Sequence, residues 1–184
     1  MFKIASLIFC FLNFITFQNA WADQPLMRQD HPQAMDYTIE QKAKMYVVGI
    51  GVKTSNQKFY DDASPLWEKF HNEKPKEKIP NRLGDDVFAV YTHYEGDFTK
   101  PYTYIMAYPV KNLSSIPSGM MGVEIPAGKY AVFTAKNPQS IGDTWNTIWN
   151  SKIDRTYIAD YELYPSDFNP EQNSEVKIYI GIKE

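Results

Sequence analysis

One order of elements, strand–helix–strand–strand, runs twice through the 184-residue chain. A duplicated unit of this kind limits the fold to a few layered arrangements. The first copy opens in Met45-Tyr46-Val47-Val48-Gly49-Ile50-Gly51-Val52, part of a strand-like region over residues 37–52 that is dense in β-formers. A helix over residues 57–71 follows, with Phe59, Tyr60, Leu66, Trp67 and Phe70 at helical spacings and a break near Pro65. Two strands complete the copy, residues 87–94 and 102–110, separated by Gly96-Asp97. The second copy opens at residues 129–135. Ser140 is expected to cap its helix, which ends near Ile153, with Ile141, Trp145, Ile148 and Trp149 on one apolar stripe. Strands at 157–164 and 176–182 close it. One more strand, 120–125, leads into the turn Pro126-Ala127-Gly128.

The copies also match locally. Leu66-Trp67-Glu68-Lys69-Phe70 lies against Ile148-Trp149-Asn150-Ser151-Lys152, and Tyr104-Ile105-Met106-Ala107-Tyr108 against Ile178-Tyr179-Ile180-Gly181-Ile182. Consecutive strands joined by short connections pair antiparallel. The expected fold is α+β: tandem β-α-β-β repeats forming an antiparallel sheet, two helices packed on it, and a groove at the repeat junction.

The strand Tyr157-Ile158-Ala159-Asp160-Tyr161-Glu162-Leu163-Tyr164 poses the functional question. Alternation puts Ile158, Asp160, Glu162 and Tyr164 on one face and Tyr157, Ala159, Tyr161 and Leu163 on the other. An acid beside an isoleucine and a tyrosine either meets water at a sheet rim, paired with a lysine, or serves a pocket. The sequence leaves both open. Tyr91 sits on the strand equivalent to that of Glu162, so it is a pocket candidate, while strand packing explains it as well. Trp67, Trp145 and Trp149 lie on apolar helical stripes, where a core role comes first.

Composition narrows the class. With 13 Tyr, 11 Phe and 4 Trp, the chain has the rings for an aromatic core, an aromatic cleft, or both. The net charge of −3 and the lack of a basic stripe argue against a nucleic-acid partner. His31, His71 and His93 are far apart in sequence, so no metal is expected. Gly49-Ile50-Gly51 lies inside a strand and lacks the third glycine of a dinucleotide loop, so no cofactor is expected either.

Residues 1–22 have the layout of a secretory signal peptide. Lys3 precedes an apolar run over residues 4–17, and Ala20-Trp21-Ala22 offers small residues where a signal peptidase reads. Cleavage after Ala22 is expected, which leaves no stable membrane anchor and places the protein in the periplasm or outside the cell. It would remove Cys10, the one cysteine, so no disulfide is expected. Residues 23–36, with Pro25 and Pro32, read as a linker, and residues 37–184 as the folded domain.

The ordered set Val47-Val48-Gly49-Ile50, Leu66-Trp67-Glu68-Lys69-Phe70, Val87-Phe88-Ala89-Val90-Tyr91, Tyr104-Ile105-Met106-Ala107-Tyr108, Ile125-Pro126-Ala127-Gly128-Lys129-Tyr130-Ala131-Val132-Phe133, Asp160-Tyr161-Glu162-Leu163-Tyr164 and Ile178-Tyr179-Ile180 resembles the GyrI-like, or bacterial transcription activator effector-binding, domain. The resemblance covers residues 37–184. It implies an aromatic pocket at the repeat junction that takes up lipophilic, often cationic compounds. Glu162 matches the family's buried glutamate near the cation, and Tyr179 is similar to a pocket tyrosine of its last strand. Residues before 37 read as signal and linker and not as a helix-turn-helix segment, so the family's transcriptional role is not expected to carry over.

The expected ligand-binding residues are therefore Glu162, Tyr91, Tyr179, Tyr164, Trp67 and Trp149. The expected function is binding of a small lipophilic or cationic ligand by an exported protein. A small-molecule hydrolase using Glu162 and Tyr91, or an aromatic groove for a protein partner, is the alternative.

Overall fold

The computed structural model describes residues 36–172 and 174–183; the signal-peptide reading and nearly all of the linker lie outside them. The elements are β1 (Thr38–Lys42), β2 (Met45–Thr54), α1 (Phe59–Glu73), β3 (Val87–Thr92), β4 (Tyr102–Val110), β5 (Met121–Ile125), β6 (Gly128–Ala135), α2 (Ile141–Trp149), β7 (Ala159–Tyr164) and β8 (Val176–Ile182). The strands form one eight-stranded antiparallel sheet in the order β1-β6-β8-β7-β3-β4-β2-β5. The α+β class and the tandem repeat are thus observed. β2, α1, β3 and β4 make one half, and β6, α2, β7 and β8 the other. The halves join where β3 pairs with β7.

The single strand-like region over 37–52 is two strands, β1 at one end of the sheet and β2 next to the last strand, β5, at the other. Likewise β5 and β6 flank the expected turn but do not pair with each other; β5 goes to β2, and β6 to β1 and β8. β1 and β2 stand six strand spacings apart in this order. In a flat sheet that separation is about 29 Å. Only Ala43 and Lys44 link them, and such a link reaches at most about 11 Å. The sheet therefore rolls until its ends approach each other.

Rolling gives the sheet two unlike faces. Both helices pack on one, where Leu66, Phe70, Trp145 and Ile148 meet Tyr91, Tyr104, Met106, Tyr164 and Ile178. The other carries no helix residue. It buries Val47, Val90, Ile105, Tyr130, Tyr161 and Tyr179 inside the roll. Gly49 belongs to this economy: a Cβ there would lie 1.9 Å from the Met106 carbonyl oxygen, so only glycine lets β2 and β4 approach.

The helices differ from expectation at their ends. α1 runs unbroken through Pro65. α2 stops at Trp149, four residues before Ile153. The capping box before it joins Asn137 and Ser140 through a short 3-10 turn, rather than using Ser140 as the side-chain cap of α2. β7 begins at Ala159, which leaves Tyr157 and Ile158 outside the strand, Ile158 at 56% exposure.

Candidate functional site

Glu162 stands at the junction of the two halves, opposite Ala89 on β3. The local symmetry can be read from the backbone. Arg82 makes an isolated bridge to Val110 at the end of β4, and Arg155 makes one to Ile182 at the end of β8. The offset that carries Arg82 onto Arg155 carries Ala89 onto Glu162 and Tyr91 onto Tyr164. The Ala89–Glu162 pair thus lies on the pseudo-two-fold axis, with Tyr91 and Tyr164 as symmetry mates. On this register Ala107 falls against Tyr179, not against Gly181 as the sequence alignment places it.

The carboxylate is 3% exposed. The rim reading, an acid in water beside a lysine, is therefore overturned. The Tyr91 hydroxyl donates to Oε1 at 2.8 Å, and the Tyr164 hydroxyl to Oε2 at 2.6 Å. The Trp145 indole N–H adds a bond to Oε1 at 2.6 Å. Small Ala89 across the strand pair leaves room for this arrangement. Burial lifts the Glu162 carboxyl above its ordinary value, and the bonds from Tyr164, Trp145 and Tyr91 pull part of the way back. Burial, and then the nearby carboxylate, pushes the Tyr91 and Tyr164 hydroxyls well above the ordinary tyrosine value, so they stay protonated donors.

Rings enclose the carboxylate. The Tyr91 ring lies 4.8 Å from Trp145, 5.0 Å from Tyr104 and 6.0 Å from Phe59, stacked on the last. Trp67 meets Tyr164 edge-on at 5.3 Å, and its indole N–H donates to the Tyr104 hydroxyl at 3.0 Å. A cleft of about 240 Å³ opens on the outer side of this layer, with Trp67, Phe70, His71, Tyr108, Tyr164 and Phe168 among its walls. It touches Tyr164 and Trp67 but not Glu162.

The six expected site residues divide accordingly. Glu162, Tyr91 and Tyr164 are joined by hydrogen bonds, and Trp67 packs against Tyr164. Trp149 stands one layer out, 6.0 Å from Trp145 and stacked on Phe98 at 6.1 Å. Tyr179 is on the other face of the sheet, stacked on Tyr161 at 4.5 Å inside the roll. The cross-strand pair Glu162–Ile178 sets this, because it turns Ile178 to the face of Glu162 and Tyr179 away from it. Trp145, read as core, is core and is also a donor to Glu162. Its signal was available: a tryptophan buries comfortably only where its N–H finds an acceptor.

The fold is thus two strand–helix–strand–strand halves with a buried acid among rings at their seam. The family described as Cass2, integron-associated effector binding protein, matches residues 38–182, and the chain belongs to it. The integron cassette protein VCH_CASS2 of Vibrio cholerae superposes with a TM-score of 0.63 at 28% identity, over 80% of this chain and 95% of that one. SAV2435, solved bound to tetraphenylphosphonium, superposes at 0.64 with 17% identity, over 81% of this chain and 94% of its own. YobU of Bacillus subtilis (strain 168), named as a candidate transcriptional regulator, is 27% identical over 124 residues, covering 64% of this chain and 78% of YobU. Small-molecule binding follows from the family.

Proposed function

We propose that the protein binds lipophilic, cationic small molecules with Glu162 as counter-charge, and that it does so after export to the periplasm or beyond, where it sequesters or senses them. One observation carries the reading: a fully buried carboxylate held by three neutral donors, with no cation within ion-pair distance among the described residues. A buried carboxylate without counter-charge is costly. A cation arriving among Tyr91, Trp145 and Tyr164 would supply that charge, and the ring faces would hold its apolar body. The tetraphenylphosphonium bound to the SAV2435 fold is a ligand of this chemistry. The outer cleft ends at Tyr164, so entry proceeds through movement of Tyr164 and Trp67.

The test is calorimetric titration of tetraphenylphosphonium into the wild type and Glu162→Gln. The wild type should bind at least tenfold more tightly, since loss of one charge-assisted contact is worth about that factor. Equal affinities for the two proteins would sink the reading. Export is tested separately, by fractionating cells that express the full chain and sequencing the N-terminus of the product; Asp23 is expected as the first residue.

A further inference from the structure

Seven residues before Glu162 lies a second buried centre that the cation reading does not use. Arg155 is 4% exposed and Asp160, its partner, 0%. Arg155 Nη2 donates to Asp160 Oδ2 at 2.6 Å and to the Tyr94 hydroxyl oxygen at 3.3 Å. Tyr94 donates in turn to Asp160 Oδ2 at 2.9 Å, and the Gly181 N–H to Oδ1 at 2.8 Å. Asp160 is thereby satisfied. Arg155 is not: its Nε and Nη1 are buried without a hydrogen-bond partner. Buried N–H groups are nearly always paired, because an unpaired one keeps the full cost of its lost hydration. A guanidinium presents two bidentate edges that share one nitrogen. Here each edge has one nitrogen in use and one idle.

Two further features show that the arrangement is not forced by the fold. Arg82, the equivalent residue of the other half by its bridge to Val110, sits near the surface and spends Nη1 on the Gly84 carbonyl and on Asp85. The bridge position therefore does not demand burial. Tyr157 holds its ring 4.5 Å from the Arg155 Cζ with φ at 54°, a left-handed conformation that is costly for an aromatic residue. Tyr157 is only half-buried, so the residue against the guanidinium also reaches solvent. Trp145 and Tyr94 close the surroundings, each with its ring 6.0 Å from Cζ.

We propose a second small-molecule subsite at Arg155, which takes an aromatic ring bearing a neutral acceptor oxygen, such as an aryl ketone or aryl amide. The rings of Tyr157, Tyr94 and Trp145 supply the apolar walls, and Nε or Nη1 donates to the carbonyl oxygen. Charge selects the neutral acceptor. Asp160 already balances the guanidinium, so a carboxylate would enter as a second, uncompensated buried anion. Trp145 touches both centres, by its N–H to Glu162 and its ring to Arg155, but the subsite stands whether or not a cation binds at Glu162.

The experiment follows the Arg155 Nε–H resonance of the uniformly ¹⁵N-labelled protein while three probes with one ring are added: acetophenone, benzoate and ethylbenzene. Acetophenone should move the resonance and bind about tenfold more tightly than ethylbenzene, the gain expected of one hydrogen bond from a charged donor. Arg155→Lys, which keeps the charge beside Asp160 but loses Nε and Nη1, should abolish that preference. Glu162→Gln should retain it, which separates this subsite from the cation reading. A resonance that none of the probes moves up to their solubility limits overturns the proposal. So does tighter binding of benzoate than of acetophenone, or an acetophenone response lost in Glu162→Gln. Should Arg155→Lys fail to fold, the wild-type titration and the Glu162→Gln arm still decide.

Discussion

Asp160 and Glu162 are two residues apart on β7, share one face, and are both buried. They are stabilised by opposite means. Asp160 has a guanidinium at 2.6 Å, a tyrosine hydroxyl and a backbone N–H. Glu162 has two tyrosine hydroxyls and an indole N–H, all neutral. The first set cancels charge within the protein. The second orients a charge and leaves it uncancelled. Burial alone therefore says little about role. On the proposed reading, what separates the structural acid from the ligand-binding one is whether the chain itself supplies the counter-ion.

The sharpest way to break the comparison is to neutralise each acid in turn. Asp160→Asn strands Arg155 as a buried, unpaired cation, and breaking a buried pair from one side costs about 3–5 kcal/mol. Glu162→Gln removes a charge that had no partner. It should change ligand-free stability at pH 7 by no more than about 1 kcal/mol, because Gln keeps an acceptor for Tyr91 and Trp145 and the Tyr164 hydroxyl can rotate to accept. Denaturant unfolding of both variants measures the difference. Similar losses for the two would mean that Glu162 is as structural as Asp160.

A smaller effect should come from the donors. Tyr164→Phe and Tyr91→Phe each remove one hydrogen bond to the carboxylate and leave the ring in place. Hydrogen bonds to charged groups contribute about 1.5–3 kcal/mol. The losses should be alike, since the two tyrosines are symmetry mates about the Ala89–Glu162 pair. Unequal losses, read from unfolding midpoints, would show that the added Trp145 bond at Oε1 makes the Tyr91 bond partly redundant.

The pH dependence follows from the raised carboxyl of Glu162, with burial as the main cause. Its folded pKa exceeds its unfolded one, so the folded state holds the extra proton. Stability is then greatest below the unfolded value and falls as pH rises from about 4.5 through the folded pKa. Other carboxylates contribute their own slopes, so the measurement is the wild type minus Glu162→Gln across that range. The difference should decline with pH at no more than about 1.4 kcal/mol per unit and then level off. A rising difference would contradict the assignment. A bound cation at Glu162 should flatten the slope, because it favours the ionised form.

The sequence made much of this legible, and where it failed the reason is register. Apolar periodicity located both helices and most of the strands, because each signal is local. The late Tyr161-Glu162-Leu163-Tyr164 motif singled out Glu162, and the repeat led to Tyr91. Tyr179 entered through the family resemblance alone; alternation sorts the residues of β8 into two sets without saying which set faces Glu162, and the β7–β8 pairing turns Tyr179 away from it. The rolled sheet was hidden for the same reason, since adjacent strands such as β5 and β6 gave no sign that they pair elsewhere. Arg155 was invisible as well. In Asp154-Arg155 it looks like a solvated loop cation; long-range contacts bury it, a bridge to Ile182, an ion pair to Asp160 and the rings of Tyr94, Trp145 and Tyr157.

That bridge supplies the smallest expected effect and the control for the whole comparison. Arg82 occupies the equivalent place in the other half and pairs with Asp85. Hydrogen bonding to Arg82 holds the Asp85 carboxyl below its ordinary value. Yet the pair is open to water, where screening and side-chain entropy leave such contacts with little net effect. Asp85→Asn should therefore unfold at the wild-type midpoint, while Asp160→Asn, the same chemical change beside the equivalent arginine, unfolds far below it. If Asp85→Asn destabilised the protein comparably, the two arginines would be equivalent in role as well as in position. The burial of Arg155 would then reflect the fold's need for a bridging arginine and not a specialisation of the C-terminal half.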